Sequence, residues 1–176
     1  MPAAHTEHGA IHRYLADDHA RLDRLLRSAT TDPAHLDPGP YAEFRRGLLR
    51  HISMEEKLLL PAARRARGGS PLPIAATLRL DHGAIAALLV PTPTAGIVAA
   101  LRAILARHNQ IEEGPGGLYD TCAALADRDA DALLAALRAA PAVPAAAHVD
   151  GPRVMAAVAR ALERAGYHLD DYVHGT

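Results

Sequence analysis

The chain has no tryptophan, one phenylalanine (Phe44), one cysteine (Cys122) and one lysine (Lys57) among its 176 residues. Each shortage excludes something. A single cysteine leaves no intrachain disulfide and no thiolate-built zinc or iron–sulfur site. Aromatics make up 3% of a chain that is 49% hydrophobic, so the core must come from Ala, Leu, Ile and Val, which suits closely packed helices. Neither sign of charge dominates, with 19 Lys and Arg against 20 Asp and Glu. That balance proposes no nucleic acid and no membrane surface as partner. The preference for Arg, together with the Ala excess, reads as GC-rich codon usage and not as a phosphate-binding surface. No apolar run approaches the roughly 18 residues of a membrane span, and the N-terminus lacks a signal-peptide pattern. A cytoplasmic protein with one domain over residues 1–176 is the expectation.

What the chain does have is histidine, 11 residues of it, and one phrase written twice. The first copy runs Asp18-His19-Ala20-Arg21-Leu22, then Leu25-Leu26, then Arg50-His51-Ile52-Ser53-Met54-Glu55-Glu56. The second runs Asp81-His82-Gly83-Ala84-Ile85, then Leu88-Leu89, then Arg107-His108-Asn109-Gln110-Ile111-Glu112-Glu113.

Apolar residues at helical spacing predict helices over residues 8–27, 41–67, 74–89 and from about 95 to Gly114. The Pro- and Gly-rich stretch 30–40 reads as a loop, and residues 1–7 as frayed. His19, His51 and His82 fall on the buried stripes of the first three helices, and His108 on that of the fourth. Gly114-Pro115-Gly116-Gly117 should end the fourth helix, and a new segment should start near Pro115. A helix over 128–139, a stiff tether over 140–147 and a helix over 152–165 follow, then a polar tail from Tyr167. The expected fold is all-α: an antiparallel up-down four-helix bundle over 8–127, with a helical C-terminal extension over 128–176.

His51 and Glu55 are four residues apart, as are His108 and Glu112. On a helix that is one turn, about 6 Å of rise, with both side chains on one face. Such a pair can share one ion, or the imidazole can bind one ion while the carboxylate spans to a second. His19 and His82 can each add a nitrogen from a facing helix. A lone His on an apolar stripe is ordinarily a hydrogen-bonded core residue, but here four His and two Glu share a seam. Two buried carboxylates without a Lys or Arg in the stripe carry a penalty of several kcal/mol each. Cations would remove it. Imidazole and carboxylate suit iron, manganese or zinc, and two carboxylates able to bridge rank iron first. A ferritin-type site would need Glu-xx-His pairs, and these helices carry none.

His19, His51-xxx-Glu55, His82 and His108-xxx-Glu112 on successive helices resemble the hemerythrin-like, HHE cation-binding family over roughly residues 8–120. The resemblance implies a non-haem di-iron centre in a four-helix bundle. His19 and His51 would hold one iron, and His82 and His108 the other. Glu55 and Glu112 would bridge them, together with an oxo or hydroxo group; Mn and Zn rank behind Fe. Oxygen-carrying members supply a fifth His from a His-xxx-His pair, whereas Ala86 stands four residues after His82 here. Each iron would then keep about five ligands and an open position, which favours redox chemistry on a bound molecule.

Other residues have two readings. Glu56 and Glu113 fit solvated carboxylates, or carboxylates that orient a neighbouring imidazole, better than ligands. Asp18 and Asp81 fit surface charges or imidazole acceptors equally. Tyr119, seven residues after Glu112, is the candidate catalytic residue if the Gly-rich break swings it towards the metal; ordinary packing is its simpler explanation. His12 is too far from His19 for the same ion, leaving an end-of-bundle or solvent-facing place. Cys122 reads as a small buried hydrophobe. The functional expectation is an oxidoreductase acting on oxygen, peroxide or nitric oxide, with or without a small-molecule substrate. A non-catalytic binder or sensor of oxygen, nitric oxide or iron is the alternative, and a purely structural metal ranks last.

Overall fold

The structure, a computed structural model, describes residues 9–32 and 34–173. Residues 1–7, expected to be frayed, and His174 of the polar tail lie outside the described residues. The fold is all-α, and no helix of the described residues is long and apolar enough to cross a membrane. The helices are α1 (Ala10–Ala29), α2 (Pro38–Met54), α3 (Leu60–Ala66), α4 (Ala75–Leu88) and α5 (Ala95–Glu113). Four more follow: α6 (Leu118–Ala126), α7 (Ala130–Arg138), α8 (Pro152–Arg164) and α9 (Asp170–Val173).

Local chemistry explains most boundaries. The Asp37 side chain accepts the Gly39 N–H at 2.9 Å and so caps α2. Pro38 and Pro40 occupy the first turn, where their missing N–H groups have no intrahelical partner to lose. The expected loop therefore ends at Asp37, and the second helix starts three residues before Tyr41. Thr94 caps α5 by accepting the Ile97 N–H. Helices α2 and α3 run on through a π-helical turn, Glu55–Leu59, in which the Leu60 N–H bonds back to the Glu55 carbonyl. Pro61 lies just beyond and cannot supply its own N–H. Such turns cluster at functional sites, and this one begins on a repeated Glu.

The apolar interior is in two parts. One is built on Leu22, Leu26, Phe44, Leu48, Ile85, Leu101 and Ile104. The other is built on Ile11, Leu15, Met54, Leu59, Leu78, Leu118 and Tyr119. His19 falls between Leu15 and Leu22, His51 between Leu48 and Met54, and His82 between Leu78 and Ile85, each at the crossing from one part to the other. The repeated polar residues thus form a layer across the molecule with an apolar block on each side.

Helix α1 packs on α2 and α4 on α5, while α6 lies against α1, α3 and α5. The tether expected over 140–147 falls within a strap without regular secondary structure, residues 140–150. Arg45, nearly buried, donates to Leu89 O at 2.8 Å and to Ala146 O at 2.6 Å, joining the end of α4 to the strap. Arg50 donates to the carbonyls of Leu137, Arg138 and Ala140, closing the C-terminus of α7. Beyond the strap, α8 covers α4 and α9 covers α5. The tail read as polar is partly core: Tyr167 is buried, and Leu169 and Tyr172 pack beside it. Its Asp and His residues obscure three apolar side chains spaced to reach α5.

Arg45→Met removes both carbonyl donors while keeping most of the stem. We expect a loss of about 2–3 kcal/mol in urea unfolding. The exposed neighbour change Arg46→Met should stay within about 0.5 kcal/mol. Equal effects would mean the strap contributes little to stability.

Candidate metal centre

All six repeated His and Glu side chains meet in one layer, each 5% exposed or less. They form two groups that share both carboxylates, and each group could hold a metal ion. The first is His19, His51, Glu55 and Glu112; the second is Glu55, His82, His108 and Glu112. Within each group the ligand-type atoms lie within 4.8 Å of one another. The carboxylates face both ways. Glu55 turns Oε1 to His51 Nε2 at 3.2 Å and Oε2 to His82 Nε2 at 3.1 Å. Glu112 turns Oε2 to His19 Nε2 at 3.5 Å and Oε1 to His108 Nε2 at 3.2 Å.

Every imidazole is held from behind by an acid. His19 Nδ1 bonds Glu113 at 2.6 Å, His51 Nδ1 bonds Asp18 at 2.9 Å, and His82 Nδ1 bonds Glu56 at 2.8 Å. His108 Nδ1 bonds Asp81 at 3.4 Å. Arg21 in turn holds Asp18 at 2.8 Å, and Arg79 holds Glu56 at 3.0 Å. A carboxylate at Nδ1 keeps the proton there and leaves the Nε2 lone pair pointing inward, the tautomer a metal requires. Glu56 and Glu113 orient imidazoles and do not enter the layer. Asp18 and Asp81, which had two equal readings, are imidazole acceptors.

Tyr119 also enters the first group. Its hydroxyl donates to Glu55 Oε1 at 2.7 Å, and Glu112 Oε2 lies 3.1 Å from it. His51 Nε2 and His19 Nε2 are 3.1 and 3.2 Å away. The simpler reading of Tyr119 as packing is therefore incomplete: the ring packs, but the hydroxyl belongs to the cluster. The Gly turn brings it there. Gly116 has φ +70°, and a Cβ on Gly117 would sit 2.6 Å from Ile111 O and 2.7 Å from Glu112 O. With no side chain in the way, the chain folds tightly against the end of α5, and α6 starts at Leu118, three residues later than Pro115. Asp120 accepts the Gly116 N–H at 3.2 Å and pairs with His12 Nδ1 at 2.7 Å.

The donor set fits cations on two counts. Ligands at right angles around an ion, with bonds of about 2.1 Å, stand about 3 Å apart; the hydroxyl is 2.7–3.2 Å from its four neighbours. In the second group, Glu55 Oε2, His82 Nε2 and Glu112 Oε1 are buried atoms without a hydrogen-bond partner. Buried polar atoms are normally satisfied; these carboxylate oxygens instead face imidazole nitrogens at 3.1 and 3.2 Å without forming a hydrogen bond, and a cation between them would satisfy all three.

The protein's own charges compensate the carboxylates with imidazolium. Burial opposes the His51 cation, but the Glu55 charge and the bonds to Asp18 and Glu55 outweigh it, raising the pKa to about 10. At His108 burial is likewise outweighed by Asp81 and Glu112, again giving about 10. His82 is raised against its burial by Glu55. The Glu55 carboxyl is held well below its ordinary range despite burial, chiefly by His51. Burial and then the Glu55 and Glu112 charges push the Tyr119 phenol well above 10. The same causes push the Cys122 thiol up to about 12, so it is an inert buried hydrophobe, as expected.

His12 is outside the cluster and is not solvent-facing. It is 4% exposed and meets the Tyr119 ring edge-on with centroids 5.8 Å apart. No local pattern signals this contact, because it depends on where α6 packs. No family model, no curated protein and no solved structure matches the chain.

Raised imidazole pKa values set a sign. Protonated His51 and His108 stabilise the metal-free fold fully below about 6.5, their unfolded value. That contribution is lost as pH rises through about 10. Metal must displace those protons, so loading strengthens with pH. We expect the metal-free melting temperature to fall between pH 6.5 and 10, and Zn(II), a redox-inert probe, to raise it more at each higher pH. A flat metal-free profile would remove the imidazolium account.

The glycines give a second prediction. Gly117→Ala should destabilise by about 1–3 kcal/mol, because the obstacles are backbone oxygens. Gly83→Ala, in α4 with open space around its Cβ, should stabilise by about 0.5–1 kcal/mol. Urea unfolding of both variants decides, and a neutral Gly117→Ala would mean that the turn is not what places Tyr119.

Proposed function

We propose that this protein is a hemerythrin-like di-iron protein that binds and activates a small oxidant: oxygen, peroxide or nitric oxide. The observation that supports this best is the two-faced arrangement of Glu55 and Glu112, each presenting one oxygen to either His pair. On this reading α1, α2, α4 and α5 form an antiparallel four-helix bundle around the metal pair. His19, His51 and Tyr119 would hold one iron and His82 and His108 the other, with Glu55 and Glu112 available to both. Iron is favoured over Mn and Zn because nitrogen and oxygen donors, bridging carboxylates and a phenol suit a redox-active ion. When bound, the iron pair supplies electrons and Lewis acidity to the oxidant.

The chain's own residues make the two sites unequal. Tyr119 adds a donor at the first, so a cation there would have one more protein group within reach than a cation at the second. At the second, His82 Nε2 and Glu112 Oε1 face only other members of the cluster and make no hydrogen bond, and Ala86 offers no ligand. The second site is thus the one that admits an external molecule. The aligned acids Asp18, Glu56, Asp81 and Glu113 fix the imidazoles and keep their Nδ1 protons in place. Full burial of both bridging carboxylates limits direct access to molecules of a few atoms. That enclosure also suits the alternative, a non-catalytic oxygen or nitric oxide binder.

Iron analysis should give two ions per chain, with His51→Ala and Glu112→Ala losing most of the metal and its thermal stabilisation. Tyr119→Phe should keep the iron but lose a phenolate-to-iron charge-transfer band. Reduced protein, kept with an excess of a chemical reductant as electron source, is then mixed with oxygen, peroxide or nitric oxide. Steady consumption supports the enzyme, and a reversible spectrum supports the binder. A stoichiometry of one ion or none sinks both.

A further inference from the structure

A cavity of about 290 Å³ opens between α1, α2 and α5, and one member of the metal cluster, His19, lines it. Its size is at the small end of the range for small-molecule sites, about 300–1,000 Å³. The inner walls are Leu22, Leu26, Phe44 and Leu48, all buried, while Asp23, Arg102 and Ala106 line it from exposed positions. The cavity therefore runs from a polar rim to a mostly apolar interior that ends against an imidazole, with the Asn109 amide, its Oδ1 buried and without a hydrogen-bond partner, as the one other polar group of the lining.

The charges at the rim are not balanced. Asp23 is paired with Arg27 at 2.8 Å. Arg102 is pinned through one amino group, Nη2, which donates to Thr30 Oγ1 at 2.6 Å and, at 3.5 Å, to Leu26 O. Among the described residues its Nε and Nη1 have no hydrogen-bond acceptor. A guanidinium held by one edge keeps the rest of its fork for a carboxylate. An amine would be repelled there, and a neutral apolar molecule would gain the walls but no anchor.

We infer that this cavity binds a small monocarboxylic acid with an apolar body, its carboxylate on Arg102 and its non-polar end against His19. The binding site stands on the cavity alone. Its consequence for chemistry rests on the di-iron reading: the bound acid would sit one imidazole away from the first cation, placed as an organic substrate or effector of that centre. His19 transmits the contact because its other edge is fixed to Glu113.

The probes are benzoate and its neutral counterpart benzyl alcohol, titrated calorimetrically into the metal-free full chain. Benzoate should bind, and Arg102→Met should weaken it roughly tenfold or more, the worth of a charge-assisted hydrogen bond. Benzyl alcohol should bind wild type no better than benzoate binds that variant. Ala106→Phe, which fills the cavity from an exposed position, should abolish binding without lowering the melting temperature. In the iron-loaded chain, benzoate should shift the optical spectrum of wild type but not of Ala106→Phe. Equal affinity for acid and alcohol, no binding at all, or binding that survives both substitutions overturns the inference. Iron loading without benzoate binding removes this site and leaves the di-iron reading intact; benzoate binding without iron loading does the reverse.

Discussion

Two carboxylates, Glu55 and Glu112, are completely buried within one cluster, and the rest of the molecule answers to them. Unpaired, each would cost several kcal/mol in desolvation and they would repel each other besides. No Lys or Arg enters the layer, so compensation falls to four imidazoles, as cations or as metal ligands. Those imidazoles need acids behind them, which supply Asp18, Glu56, Asp81 and Glu113. Two of these acids lean on Arg21 and Arg79 nearer the surface. The charge alternates outward from the centre, and each shell depends on the one inside it.

This is why the repeat is longer than its metal-ligand part. The phrase Asp-His, His-xxx-Glu-Glu uses all five polar positions in both copies. Asp18 and Asp81 hold the second imidazole of their own half, His51 and His108. Glu56 and Glu113 hold the first imidazole of the opposite half, His82 and His19. The halves are therefore interlocked through second-half acids on first-half rings and the reverse.

The six inner residues and the helices that carry them were legible because periodicity of 3.6 and four-residue spacing fix a face from sequence alone. Of the outer acids, Glu56 and Glu113 were partly legible, as carboxylates better suited to orient an imidazole than to be ligands. Asp18 and Asp81 were not, since an Asp beside a buried His is on the flank of its helix, and only the neighbouring helix decides what it meets. Pro38 and Pro40 misled because proline in a loop and proline in a first helical turn look the same until the cap at Asp37 is seen. His12 and the tail at Tyr167 were missed for a related reason: their partners lie on α6 and α5, and contacts across helices with low periodic signal leave no local trace.

The two copies diverge at one place, and the divergence carries the asymmetry of the site. After Glu55-Glu56 the chain continues through a π turn into α3, and Leu59-Leu60 are buried apolar packing. After Glu112-Glu113 it breaks at Gly114, spends two extra residues in a glycine turn and resumes at Leu118-Tyr119. In this alignment Leu60 and Tyr119 are counterparts. The leucine of one half is buried in the apolar block, and the tyrosine of the other gives the first His pair a hydroxyl. A duplicated frame alone would make two equal sites. The glycines make them unequal, because only a chain without Cβ atoms at that turn can approach the carbonyls of Ile111 and Glu112 closely enough to place a phenol beside Glu55.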